Sequence, residues 1–432
     1  MSVTASPASS LATTTWHPTR ESLPAANQRR SRLETLFAFI LLVFATTAFD
    51  TVLRPQDTLR GDESDPVIQV VWLCLAVIAV ALIFHRAASA ATVPRTDGFL
   101  VALMGLAVLS VVWSIDPGLT LRRDASLLAT IGTGYYLAST FAPTTLLRLI
   151  RSACLFGAIS SLVWSVVSPA VAYDAFGRFR GVFAQKNALG LVAAIGAMTC
   201  VALVLSATHH RWREGFLGAV FVSVLFMSGS RTSLVALIGG VVVVVVAAGI
   251  KSERTRTTTV GTCLVAMAGI VAWVVAVGTA APLRLLGRDQ TLTGRTELWH
   301  AVEHAIGSKP VAGWGFGGFW SQSHGPSQQL LQSVNWDALS SHEGFLEMAL
   351  NLGLLGTVSV LVLLLRILAR AQVLARSANP TVGLYATAIV GFAIIYNLAE
   401  ADLFKSRSLL TVLLVIAITL VSITHRSRSR MA

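Results

Sequence analysis

"VIQVVWLCLAVIAVALIF", residues 67–84, carries no charge from end to end. A helix that crosses a membrane needs roughly 20 mostly apolar residues, so this run reads as a span. Similar runs recur at about 35–50, 98–113, 125–142, 150–168, 188–206, 214–229, 232–250, 260–281, 342–366, 381–398 and 408–424. With the first, they make twelve. The 432-residue chain is 54% hydrophobic and only 12% charged, with mean hydropathy +0.70. A soluble domain carries about 25% charged residues. The predicted fold class is an all-α polytopic membrane protein of about 12 transmembrane helices, with one large periplasmic loop before the last three.

The net charge of +12 invites a nucleic-acid reading, but the distribution of charge argues otherwise. With the N-terminus inside, the cytoplasmic segments hold 19 Lys/Arg and 5 Asp/Glu, and the outer segments 14 and 16. That asymmetry follows the positive-inside rule and predicts both termini in the cytoplasm. Clusters such as "HHRWRE" and "KSERTR" then face anionic headgroups.

Residues 1–32 are rich in Ser, Thr, Ala and Pro with no apolar face, and read as a disordered cytoplasmic tail. The tail is too long for the start of a cleavable signal, so no processing is expected. Spans one to nine fill 33–281, the outer loop 282–341, and the last three spans with a short basic tail 342–432. The four cysteines, Cys74, Cys154, Cys200 and Cys263, sit in four different spans and read as packing residues.

Ionisable residues gather at the outer ends of the spans. In "SSHEGFLEMALNLGLLG", residues 340–356, Ser340 and Glu343 fit a capping box. His342 then falls in the first helical turn, where the helix dipole disfavours the imidazolium and keeps a neutral base. Glu343, Glu347 and Asn351 form a polar stripe costly against lipid, so that face is expected to meet a polar cavity. Arginines also appear outside, where the positive-inside rule does not call for them. "GRFRGVFAQKNALG" carries Arg178, Arg180 and Lys186, "SGSRTSLVAL" carries Arg231, "GRTELW" carries Arg295, and "LRRD" carries Arg122 and Arg123. A lone arginine at a span end usually snorkels to headgroups. Several converging on one pocket would suit a diphosphate, because the guanidinium fork matches phosphate oxygens.

Other patterns have plainer explanations. "HAVEH" places His300 and His304 in an H-x-x-E-H pattern, but a third ligand is not evident, and no metal or other cofactor is expected. An amphipathic helix carries Leu298, Trp299, Val302, Ala305 and Ile306 on one face. "PVAGWGFGGFW", residues 310–320, contains G-x-G-x-x-G without a preceding strand, so its aromatics read as an interfacial belt or a sugar-stacking surface. His324 in "HGPSQQ" lies where a lid could close. Glu400, Asp402, Lys405 and Arg407 resemble part of an ion relay, and a solvated loop is the simpler reading.

Together these motifs resemble the O-antigen ligase and polysaccharide polymerase superfamily, and more closely its exopolysaccharide (Wzy-type, ExoQ-like) polymerase branch. The resemblance covers about residues 35–425. It rests on the order "FAQKNALG", "SGSRTSLVAL", "GRTELWHAVEHAIGSKPVAGWGFGGFW", "SHEGFLEMALNLGLLG". His342, Gly353 and Gly356 match the ligase signature at its spacing, and Glu343 departs from it at the second position.

The resemblance implies glycan transfer from an undecaprenyl-diphosphate carrier to an acceptor hydroxyl, without nucleotide sugar or metal. It casts His342 as the base and Arg231 as a diphosphate ligand. Arg180 or Arg178, and Arg295, fall in flanking arginine segments. The implied partners are lipid-linked oligosaccharide donor and acceptor, membrane lipids, a chain-length regulator and export proteins, at the bacterial inner membrane. A ligase acting on lipid A core, a lipid-linked sugar transporter and a non-catalytic export component are the competing readings.

Overall fold

The computed structural model describes residues 25–48, 66–89, 96–206, 210–276, 293–321, 325–334, 338, 340–377 and 380–429. The chain divides into two units, Met1–Ala38 and Phe39–Ala432, and every candidate site residue discussed below belongs to the second. Twelve long helices match the twelve apolar runs one for one. They are α1 (Ala25–Ala45), α2 (Pro66–Ser89), α3 (Gly98–Leu109), α4 (Pro117–Thr140), α5 (Pro143–Val167), α6 (Lys186–Leu205), α7 (Arg211–Ser228), α8 (Arg231–Gly249) and α9 (Glu253–Ala276). After α10 (Thr293–Ser308) and α11 (Pro326–Val334) in the large loop come α12 (Gly344–Leu374), α13 (Thr381–Tyr396) and α14 (Leu409–Ser429). Six of them are long and apolar enough to cross a membrane by composition alone, and α3 and α13 are shorter apolar helices. The chain is an all-α polytopic membrane protein. Helix α1 starts at Ala25, earlier than the tail boundary expected at 32, and residues 1–24 lie outside the described residues.

Local signals set the helix starts. Asp97 caps α3 by accepting from the Phe99 amide, and Asp116 caps α4 through Leu119, with Pro117 in the first turn where no amide partner is needed. At the centre of the bundle, α13 packs on α8, α12 and α14, and α6 packs on α5, α7 and α8. Large apolar side chains face outward on α12, where Leu354, Leu355, Val358, Leu361 and Leu365 are exposed. That outward stripe suits lipid.

The two ends of the bundle differ. At one end arginines bind backbone or buried acids. Arg366 and Arg370 reach Asp97 at 3.3 and 2.5 Å, Arg151 pairs with buried Glu214, and Arg376 donates to Gly249 and Ile250 carbonyls at the end of α8. At the other end the connections between helices are tied to one another. Ile115 donates to the Trp314 carbonyl, Ser406 to the Arg123 carbonyl, and Arg123 to the Gly317 carbonyl.

The large loop folds onto this second end. Leu298, Val302 and Ala305 of α10, Phe319, Trp320, Leu330 of α11 and Leu350 of α12 form one buried cluster, with Ile306 packed against it. The apolar face read from the sequence of α10 is therefore its buried face. Helix α11 was not anticipated from the polar run that contains it. His324 lies outside the described residues.

Candidate active site

Helix α12 begins at Gly344, two residues later than the expected span start. The expected capping box is replaced by a different cap. Glu343 is itself the N-cap, accepting from the Leu346 amide, and the Ser341 hydroxyl donates to the Glu343 carbonyl at 2.7 Å. A carboxylate here meets the positive end of the helix. His342 consequently lies outside the helix, in the left-handed region at φ 54, and not in its first turn. The dipole argument made for a histidine in the first turn therefore does not apply to it. A left-handed backbone at a non-glycine residue is uncommon and costs about 1–3 kcal/mol.

The surroundings of His342 include an acid from a different connection. His342 Nδ1 lies 3.8 Å from Glu400 Oε2, and the other oxygen of Glu400 accepts from Asn187 Nδ2 at 2.8 Å. Glu400 is thus not part of a merely solvated loop. Its segment is packed into the bundle end. Asn397 is fully buried, accepts the Gly344 amide on its carbonyl at 2.7 Å and accepts the Asp402 amide on its side chain at 2.8 Å. Burial pushes the Asp402 carboxyl up to about 6, against the opposing pull of Lys405 and a hydrogen bond from Ser408. The beginning of α12 and the connection before α14 are therefore one structural piece. Topology alone placed Glu400 on this side, and only long-range packing shows which histidine it meets.

Lys186, the first residue of α6, links this piece to the arginines. It lies within electrostatic reach of Arg178 and Arg231, and also of Asp174 and Glu400, and its ammonium donates to the Gly229 carbonyl at 3.4 Å. Arg231 opens α8 immediately after that turn and is exposed rather than enclosed by its apolar flanks.

Arg178 and Arg180 differ from each other. Arg178 is half-exposed, bonds Asp174 at 2.7 Å and stacks its guanidinium over the Phe176 ring. Burial would raise the Asp174 carboxyl, but hydrogen bonds from the Arg178 amide and guanidinium outweigh it and hold it below the usual range. Arg180 is buried and donates to the Val171 carbonyl at 3.0 Å. Both line an open pocket of about 530 Å³ with Pro169, Tyr173 and Phe176. Arg295 lies in the first turn of α10, with its side chain outside the described residues. Arg123 is occupied with the Gly317 carbonyl at 2.5 Å.

Two members of the polar stripe on α12 are met by protein groups. Glu347 accepts from Trp320 Nε1 and from the Ser341 amide, both at 2.8 Å, and Asn351 Oδ1 accepts from the Gly317 amide at 3.1 Å. The glycine-rich loop covers the stripe, and a break in α12 admits it. Gly353 has φ 62 and ψ −159 inside the helix. The carbonyls of Leu350 and Asn351 accept from the amides of Trp314 and Gly315, while the amides of Leu354 and Leu355 donate to Pro310 and Val311. Backbone groups freed by the break are thus satisfied by the inserted strand-like segment, as burial requires. A Cβ on Gly313 would come within 2.6 Å of the Asn351 backbone, so the close approach needs glycine there. His300 and His304 lie on the exposed face of α10, with His300 3.4 Å from Glu303.

Comparison with known proteins bears on the same region. A family model described as O-antigen ligase matches residues 216–361, a stretch that includes Arg231, Arg295, His342 and the break in α12. The exopolysaccharide production protein ExoQ of Rhizobium meliloti (strain 1021) is 26% identical over 265 residues, which cover 58% of this chain and 60% of that relative. Both findings agree with the order of motifs read from the sequence, and each is a similarity over part of the chain.

Proposed function

We propose that this protein joins undecaprenyl-diphosphate-linked oligosaccharide repeats into exopolysaccharide at the periplasmic face of the bacterial inner membrane, with both termini in the cytoplasm. The observation that carries the reading is a run of neighbours at one end of the bundle: Glu400 is close to His342 and within electrostatic reach of Lys186, and Lys186 is in turn within reach of Arg178 and Arg231. A histidine and cations linked in this way suit attack by a hydroxyl on a sugar whose leaving group is a diphosphate.

In the proposed step, the acceptor hydroxyl oxygen forms a bond to the anomeric carbon of the donor as the bond from that carbon to the diphosphate oxygen breaks. The bonding electron pair leaves with the lipid diphosphate, and the hydroxyl proton passes to Nε2 of His342. Direct displacement inverts the anomeric centre. Arg231, Arg178 and Lys186 stabilise charge growing on the departing oxygen, and His342 supplies general-base catalysis worth about 10²–10⁴-fold. No metal or nucleotide sugar enters the scheme. Glu343 serves the site by fixing the start of α12, and Arg180 by anchoring the loop that carries Arg178. A chain-length regulator and export proteins are the partners this activity would call for.

A second reading, transfer of a lipid-linked glycan to lipid A core or another acceptor, is favoured by the ligase description of the matching family model. The test is His342→Ala in the host, with membrane expression verified by blot. Single repeats accumulating on the lipid carrier, with long polymer absent, are expected. Full-length glycan retained on its carrier would indicate the ligase reaction instead. Polymer of normal length would remove His342 from the mechanism.

A further inference from the structure

We propose that Glu400 is a positioning residue that fixes the tautomer of His342. The inference rests on the reading of His342 as the base and adds a group from a different part of the chain. Glu400 Oε1 accepts from the Asn187 amide at 2.8 Å, and Oε2 lies 3.8 Å from His342 Nδ1. Side-chain exposure is 13% for Glu400 and 25% for His342, so water competes weakly for either. A carboxylate facing Nδ1 favours the tautomer with the proton on that nitrogen, which makes Nε2 the unprotonated nitrogen that accepts the hydroxyl proton. The 3.8 Å separation shortens to hydrogen-bond length by a small turn of either side chain, as such contacts do when substrate binds. Once Nε2 has taken the proton, the same carboxylate stabilises the imidazolium.

Two features keep Glu400 from drifting. Asn187 is in the first turn of α6, next to Lys186, which is itself in electrostatic reach of Glu400. The connection carrying Glu400 is anchored by buried Asn397 to the Gly344 amide, two residues from His342. Acid and base therefore move as one piece.

The discriminating variant is Glu400→Gln. Asn187 holds the Oε1 position, so the new amide nitrogen takes the place of Oε2 and donates to Nδ1. That forces the proton onto Nε2 and leaves the base in the wrong form. The full-length protein is labelled with ¹⁵N-histidine in detergent, His342 is assigned by His342→Gln, and the ring tautomer is read from long-range ¹H–¹⁵N correlations. Turnover is measured in proteoliposomes with undecaprenyl-diphosphate-linked repeats extracted from the host.

For Glu400→Gln a switch of His342 from Nδ1–H to Nε2–H is expected. A fall in kcat of roughly a hundredfold or more, with KM within about twofold, should accompany it. Glu400→Asp, which keeps the carboxylate, should restore the tautomer and most of the rate. An unchanged tautomer in Glu400→Gln would overturn the inference whatever the rate. A switched tautomer with unchanged kcat would uphold the orientation by Glu400 and refute His342 as the base. Loss of kcat in Glu400→Asp equal to that in Glu400→Gln, with the tautomer restored, would overturn the catalytic part of the inference.

Discussion

Arg178 and Arg180, two residues apart in "GRFRG", illustrate how far a single side chain is legible from sequence. Their spacing gives no reason to separate them. The fold does so by depth: Arg180 is at the base of a small hairpin closed by Tyr173 and Phe179, with its guanidinium spent on backbone carbonyls, while Arg178 stays beside the open pocket. Removing Arg180 strips two half-buried carbonyls of their donor, at a cost of about 1–3 kcal/mol. Arg180→Ala should therefore lower the unfolding temperature in detergent by several degrees, followed by tryptophan fluorescence. Arg178→Ala should leave that temperature nearly unchanged, because a half-exposed ion pair contributes less than about 1 kcal/mol, and should raise KM for the lipid-linked donor about tenfold. Equal behaviour of the two variants would contradict the division of labour. His342 shows the same limit from the other side. Its place in the chain was readable, but its left-handed backbone and its acid partner were not, since Glu400 is 58 residues away in sequence and meets it only through packing.

At the scale of elements, the helices were readable and the break in one of them was not. The apolar pattern of α12 runs through Gly353 without interruption, so periodicity predicts a continuous span. The break depends on a partner segment forty residues upstream, Pro310–Gly315, part of a stretch whose aromatics read from sequence as an interfacial belt or a sugar-stacking surface. Sharp breaks in helices have identifiable causes, and here the cause is insertion of that segment into the backbone ladder. The G-x-x-G pair thereby gains a structural reason at its first position. Gly353→Ala would place an L-residue at φ 62 with its Cβ against the Val311 carbonyl, adding a steric clash to about 1–3 kcal/mol of backbone strain. The expected outcome is loss of monodisperse protein on size exclusion, together with loss of polymer in the host. Gly105→Ala in α3, where an added Cβ meets nothing within 4 Å, is the matched control. It should be neutral or stabilise by up to about 1 kcal/mol. A well-folded Gly353→Ala protein would show that the inserted loop is dispensable.

For the whole molecule, composition and charge were enough to give the class, because lipid constrains a chain more simply than a packed core does. Lipid-exposed backbone groups must be satisfied within a helix, and lipid-facing surfaces must be apolar, so hydropathy alone yields twelve elements that the fold reproduces. What hydropathy does not encode is which connections meet. The bundle end that carries His342 also carries Lys186, Arg231 and Glu400, while the opposite end carries Arg151, Arg256, Arg366, Arg370 and Arg376 bound to buried acids and helix-end carbonyls. The positive-inside rule predicts that this arginine-rich end faces the cytoplasm. A lipid-diphosphate donor is used where nucleotide sugars are absent, so the proposed chemistry requires the His342 end to face outward. This follows from two independent arguments, charge bias and donor chemistry, and one experiment bears on both. In a background with all four cysteines replaced by serine, Glu303→Cys marks exposed α10 and Arg254→Cys marks the exposed start of α9. A membrane-impermeant maleimide applied to intact spheroplasts should label Glu303→Cys and spare Arg254→Cys, and permeabilised cells should label both. The reverse pattern would put His342 in the cytoplasm, among nucleotide sugars, and the lipid-linked donor would lose its rationale.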